Sequence, residues 1–360
     1  MDLKKQTTFG PVRYLQGPGV MENVGEEALL YGNRALVIAG KTAWDKAGGT
    51  VEKSLRQNGI DFVLQGFGGY CSPGNIIAAV RKASEFHADV IIGVGGGKVM
   101  DTAKSTADTL NLKCVTAPTS AATCAGAVQL CVWYDDQGKM IPGITMKESV
   151  AAVIADTDII VRNCPKRLLA SGIADALAKY PELEYNVSIF PLPGITEAFE
   201  VSKTVAYRNY RFLLEHAAQC LEEASLKKTT PLTEDLVACL IANTGLASSL
   251  VSGVRQLAVA HKFYSAVTIL FKESRDAFYH GEIVSCGMII QFYANGYAEG
   301  QIENLSAFLK SLGTPVCLSD LGIEPTEKNC RLIFDYLMDN GFDAPGVRKR
   351  IEQGFEAIKR

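Results

Sequence analysis

Up to Asp158, short apolar runs rich in β-branched residues alternate with longer stretches whose apolar residues recur at helical spacing. Ala35–Ala39, Asp61–Leu64, Val90–Val94, Lys113–Ala117 and Val150–Ala155 predict buried strands. Ala43–Gln57, Asn75–His87 and Met100–Leu110 predict helices, the second introduced by Pro73. Strand, helix, strand in succession predicts a parallel sheet covered by helices on both faces. Val128–Tyr134, followed by the turn Asp135-Asp136-Gln137-Gly138, predicts one hairpin inserted before the sheet resumes. After Pro165 the alternation stops, and Glu197–Glu223, Thr233–Val251 and Tyr279–Tyr297 predict long helices. The expected organisation is an α/β domain over residues 1–163 and an all-α domain over 164–360, packed across a cleft without a flexible linker.

Composition narrows the class. A chain of 360 residues that is 48% hydrophobic can bury a large core, and 36 basic against 39 acidic residues leave a net charge of −3. No nucleic-acid partner is expected from that balance. Apolar stretches such as Val150–Ala155 fall far short of the roughly 18 residues of a membrane span, so no membrane partner is expected either. Lys4 and Lys5 are followed by polar and turn residues and not by an apolar signal core. Ten cysteines are scattered with no C-x-x-C pair, which fits reduced thiols and a cytoplasmic location.

Three segments carry candidate chemistry. In Ile91–Lys104 a strand runs through Gly93, Gly95, Gly96 and Gly97 straight into a helix, which offers backbone N–H groups and a helix N-terminus to a pyrophosphate. The spacing is neither a Walker A loop nor Gly-x-Gly-x-x-Gly, because Lys98 and Met100 stand in the way. The loop Pro118–Gly126, small and hydroxyl-rich, again follows a strand and lets a flat ring or a phosphate approach the backbone. The third segment is Ser171–Lys179, where Asp175 lies in an apolar helical run and needs either Lys179 or a metal as partner. Two of the four histidines, His261 and His280, lie in the same half and would complete an open divalent-metal site, although their spacing matches no fixed metal motif.

Taken together, Gly93–Lys104, Pro118–Gly126, Gly172–Lys179, Ala260-His261 and His280-Gly281-Glu282 resemble the iron-containing, metal-dependent alcohol dehydrogenases, in particular their glycerol dehydrogenase and hydroxycarboxylate dehydrogenase branch. The resemblance implies a Rossmann-like nucleotide-binding domain and a dehydroquinate synthase-like helical domain. It also implies NAD or NADP as cofactor, one divalent metal (Zn or Fe), a homo-oligomer, and hydride transfer between a small alcohol and its carbonyl compound. By that resemblance Asp175, His261 and His280 are metal ligands, and Gly95, Gly96, Gly97, Lys98 and Asp101 form the pyrophosphate-binding stretch. Thr119, Ser120 and Ala122 match the nicotinamide-side loop, while Val128, Leu130 and Tyr134 match cofactor contacts on the hairpin. Sugar phosphate cyclases and glycerol-1-phosphate dehydrogenases share several of these features, and a nucleotide-binding homologue without activity is a third reading.

Departures from the family pattern sharpen the expectation. Glycerol dehydrogenases carry an acidic residue where Gly40 stands, so Gly40 and Lys41 favour acceptance of a 2′-phosphate and hence NADP. Cys124 replaces an Asp that contacts the substrate hydroxyl, which argues against glycerol and makes the position a candidate catalytic contact for a 2-hydroxy acid or another polyol. Lys179 replaces a further His ligand, and His261 is followed by Lys262-Phe263-Tyr264-Ser265, where the family usually has a second His and Asn-Gly. Pro181 is expected to end or kink the helix that carries Asp175.

Overall fold

A computed structural model describes residues 9–189, 197–251, 257–342 and 344–359. Lys4 and Lys5 lie outside the described residues. The chain forms two compact units: one holds the described residues up to Lys166 together with Cys220–Ser249, the other Arg167–Gln219 and everything from Leu250 onward. The segment Cys220–Ser249 thus belongs with the sheet, where the sequence pattern alone suggests a single division near residue 163.

The first unit is built on β1 (Arg13–Gly17), β2 (Arg34–Gly40), β3 (Asp61–Phe67), β4 (Val90–Gly95), β5 (Lys113–Pro118), the hairpin β6 (Leu130–Tyr134) and β7 (Met140–Thr145), and β8 (Ala152–Asp156). Six strands form one sheet in the order β1-β8-β5-β4-β2-β3, every pairing parallel. Helices α1 (Val24–Leu29), α2 (Lys41–Gln57), α3 (Pro73–Phe86) and α4 (Gly97–Leu110) lie in the connections between successive strands from β1 to β5, and α5 (Thr157–Asn163) follows the last strand. Val37, Ile92, Val94, Val115 and Ile154 from the strands pack with Val51 and Leu55 of α2 in a core closed to solvent. In the hairpin, Gly138 adopts φ 78°, and a Cβ there would stand 2.2 Å from the Tyr70 ring. That position admits only glycine.

The same unit takes in α8 (Pro231–Val237) and α9 (Thr244–Leu250), joined by a π-helical stretch, Ala238–Asn243. The second unit contains α6 (Lys166–Ile189), most of α7 (Glu197–Ser225), α10 (Val259–Leu270), α11 (Lys272–Ala277), α12 (His280–Asn295), α13 (Glu299–Ser311), α14 (Glu327–Leu337) and α15 (Pro345–Ile358). Helix α12 is buried almost all round and is the centre of this bundle. Pro181 does not end α6, which runs on to Ile189. Among the described residues no helix is long and apolar enough to cross a membrane.

Candidate metal centre and cofactor edge

Strand order places the candidate cofactor residues. From β2 the chain goes to β3 on one side and to β4 on the other, so the carboxyl ends of β2 and β4 flank the switch point where open α/β sheets bind ligands. Ala39 stands opposite Val94 in the register, which sets Gly40 beside Gly95. Helix α2 starts at Lys41 and α4 at Gly97, and the first N–H groups of a helix have no partner within it. Thr119 N–H donates to Gly95 O at 3.0 Å, drawing the loop after β5 onto the glycine turn. A Cβ on Gly97 would stand 3.0 Å from Thr123 Oγ1, and one on Gly96 3.5 Å from Ser120 Oγ. Ala122 and Cys124 lie half-buried in the same loop. Gly40, Lys41, Gly95, Gly96, Gly97, Lys98, Thr119 and Ser120 therefore share one edge of the sheet.

Two side chains of this edge are engaged by neighbours. Lys41 forms an exposed ion pair with Asp45 at 2.8 Å. The Lys98 ammonium lies 4.1 Å from the centre of the Tyr70 ring and 5.8 Å from that of Tyr134, a cation–π seat in which Tyr70 gave no sequence signal. Asp101, on the same helix, is buried and engaged elsewhere. Its carboxylate pairs with the fully buried Lys104 at 2.9 Å and accepts the Val132 N–H at 3.2 Å. Lys104 Nζ in turn donates to Val128 O at 3.0 Å and Leu130 O at 2.6 Å. Burial works against the ammonium, yet Asp101 beside it holds its pKa up at about 12. The pair clamps the hairpin strand β6, with Leu130 and Tyr134, and the preceding Val128 onto α4.

The other cluster lies wholly in the helical unit. Asp175 on α6, His261 at the start of α10 and His280 at the first position of α12 bring Asp175 Oδ1 within 3.1 Å of both His261 Nε2 and His280 Nε2. One carboxylate oxygen and two imidazole nitrogens lie within 4.8 Å of one another, the donor set of an open divalent-metal site. Asp175 and His261 are each 7% exposed, whereas the His280 side chain is 29% exposed and opens the centre on one side. Burial alone would raise the Asp175 carboxyl, but His280 and His261 hold it far below the carboxylate range. The ring of Tyr264 stands edge-on to His280 at 4.2 Å.

Three local devices aim the ligands. Gly281 lets α12 touch α6: a Cβ there would stand 1.8 Å from Ser171 O, and the Gly281 N–H donates to Ser171 Oγ at 3.0 Å. The buried Glu282 grips Arg167 through two bonds, at 2.6 and 2.8 Å, and accepts the Tyr279 N–H, so the start of α12 is fixed beside His280. The third device is Glu182, fully buried on α6. Its Oε2 takes the His261 Nδ1 bond at 2.6 Å, and its Oε1 accepts the N–H groups of Ala258 and His261. Gln291 Oε1 accepts those of Val259 and Ala260, so the uncapped N-terminus of α10 is satisfied from two other helices. A carboxylate on Nδ1 presents the Nε2 lone pair to the centre and raises the basicity of the ligand.

Glu182 and Gln291 escape a motif search. The signal available was a polar stripe, Ser171, Asp175, Lys179, Glu182 and Asn186, recurring along one side of an otherwise apolar helix.

Comparisons with known proteins give the family. A family profile described as iron-containing alcohol dehydrogenase matches residues 11–157. A glycerol dehydrogenase of Pseudomonas putida is 30% identical over 316 residues, covering 87% of this chain and 84% of the relative. Hydroxycarboxylate dehydrogenase A of Escherichia coli strain K12 is 29% identical, covering 89% of this chain and 86% of the relative. Among solved structures, a probable glycerol dehydrogenase from Sinorhizobium meliloti 1021 superposes with a TM-score of 0.85 at 25% identity, covering 98% of this chain and 99% of its own.

Proposed function

The chain belongs to the iron-containing alcohol dehydrogenase family and is an alcohol oxidoreductase, and on that premise we propose that it interconverts a 2-hydroxy acid or polyol with its carbonyl compound, using NAD or NADP and a zinc or iron ion. The observation that carries this reading is the convergence of Asp175 Oδ1, His261 Nε2 and His280 Nε2 within 4.8 Å. A divalent ion bound there supplies Lewis acidity toward the substrate oxygen. Asp175 contributes the anionic donor, Glu182 keeps His261 in the ligating tautomer, and Glu282 with Gly281 keeps His280 in place. The N-terminus of α4 and the Thr119 loop are suited to the pyrophosphate and nicotinamide. A nicotinamide held there would supply the hydride acceptor for alcohol oxidation and the hydride donor for carbonyl reduction. Gly40 offers no carboxylate against a 2′-phosphate and Lys41 offers a cation, which supports use of NADP as well as NAD.

The test is nicotinamide absorbance with NADH and NADPH crossed against 2-oxo acids and hydroxyketones. Metal-reconstituted protein is expected to turn over, while chelation and His280→Ala each reduce turnover to background. Turnover that survives in metal-free protein would overturn the assignment of the centre.

A further inference from the structure

Of the five polar residues in the α6 stripe, four are accounted for. Ser171 accepts from Gly281, Asp175 meets both imidazoles, Glu182 holds His261, and the Asn186 amide donates to Leu257 O at 3.3 Å. Lys179 is only 5% exposed, yet it makes no hydrogen bond or ion pair among the described residues. It lies one helical turn beyond Asp175, on the same side of α6, and its charge is felt by Glu182 and by His261. The side chain is buried along most of its length without an ion pair among the described residues, and the charge is in surplus there: a divalent ion balances the Asp175 and Glu182 carboxylates, and Lys179 remains.

We propose that Lys179 anchors a carboxylate on the carbon next to the one that reacts, so that the preferred substrates are 2-hydroxy acids and their 2-oxo acids and not neutral polyols. This rests on the oxidoreductase reading above and names the substrate class for it. A lysine ammonium is a compact point charge with three donors, suited to a monoanion. A phosphate monoester, close to a dianion, calls for further cations. Positions 175 and 179 are about one helical turn apart, so both side chains leave the same side of α6, as an anchor beside the Asp175–His261–His280 centre requires. The redox balance is untouched by the anchor: the 2-hydroxy acid loses hydride to NAD(P)+ and a proton to water, and the carboxylate keeps its charge throughout.

The experiment has a binding arm and a turnover arm, both on zinc-loaded protein. In calorimetry, oxamate is expected to bind wild-type protein at least thirtyfold more tightly than the neutral lactamide, and Lys179→Met to remove most of that preference. In turnover, the ratio of kcat/KM for pyruvate to that for hydroxyacetone is expected to fall about a hundredfold in Lys179→Met and in Lys179→Gln, and far less in Lys179→Arg. Equal binding of oxamate and lactamide by the wild type overturns the proposal even if neither neutral variant folds. So does a ratio that moves less than threefold in the variants, which would leave Lys179 as a charge balance for Glu182, and so does a preference for dihydroxyacetone phosphate over pyruvate. Absence of all turnover with intact oxamate binding would instead count against the oxidoreductase reading and leave the anchor standing.

Discussion

Helices α4 and α6 each bury an aspartate with a lysine about one turn later, and the two pairs behave differently. On α4, Lys104 pairs with Asp101 at 2.9 Å, the Val128 and Leu130 carbonyls accept from Lys104, and the Val132 N–H donates to Asp101. On α6, Asp175 is turned to His261 and His280, and Lys179 makes no ion pair with it among the described residues. Spacing alone does not separate a structural ion pair from a ligand site. What separates them is the neighbourhood: a hairpin backbone with carbonyls and N–H groups to spare closes the first pair, whereas two imidazoles with oriented Nε2 atoms open the second.

The comparison breaks most sharply at Lys104. Its replacement by Met leaves Asp101 buried and unpaired, and the expected loss is about 3–5 kcal/mol in urea unfolding. Asp101→Asn combined with Lys104→Met should recover part of this, because both charges then disappear together. NADH titration should weaken as the hairpin loosens, while bound metal per chain stays at the wild-type level, since the clamp and the metal centre belong to different units. A loss under about 1 kcal/mol, the scale of an exposed pair, would show that the clamp is not a closed structural unit.

The opposite side of the comparison is tested at Glu182. In Glu182→Gln the amide oxygen can still accept the Ala258 and His261 N–H groups, but the amide NH2 confronts His261 Nδ1 and favours the tautomer with its proton on Nε2. Metal affinity should drop about 10- to 100-fold, read by competition with a chromophoric chelator, with little change in unfolding midpoint for the metal-free protein. An unchanged affinity would mean that Glu182 serves α10 as a cap and does not tune the ligand.

Much of this was legible in the pattern of residues, and the exceptions have physical causes. Strands β2, β4, β5 and β8 are buried on both faces and so read as continuous apolar runs. β1 escapes because Arg13-Tyr14-Leu15-Gln16-Gly17 is an edge strand with a single strand partner, and only Gly17 is buried. The stretch 233–251 reads as one helix but contains a π-helical turn at Ala238–Asn243, which hydrophobic spacing does not report. Asp175 stands out as a charge in an apolar helix and the two histidines as its possible partners, but the contacts are made across 86 and 105 residues of chain, so no fixed motif spacing reports them. Glu182 meets His261 across 79 residues, and no local spacing predicts that contact. Pro181 does not end the helix, since α6 continues to Ile189 and the Pro181 carbonyl accepts the Asn295 side-chain N–H at 2.9 Å.

A third lysine and aspartate about one turn apart, in the reverse order along the chain, mark the weak end of the series. Lys41 and Asp45, in the first turn and a half of α2, are paired at 2.8 Å with both side chains more than half exposed. An exposed pair of this kind is worth about 0–1 kcal/mol, so Lys41 can leave Asp45 for a stronger anion at almost no cost. The adenosine 2′-phosphate of NADP is such an anion, and Gly40 places no carboxylate in its way. Lys41→Ala should therefore weaken NADPH relative to NADH by about fivefold, which corresponds to roughly 1 kcal/mol. The difference should shrink as ionic strength rises from about 0.01 to 0.15 M and the Debye length falls from about 30 to 8 Å. Neither Lys104 nor Lys179, both buried, should share that salt dependence. An NADPH-to-NADH ratio indifferent to Lys41→Ala at low salt would locate discrimination elsewhere on the sheet edge, and would leave Lys41 as no more than a surface partner of Asp45.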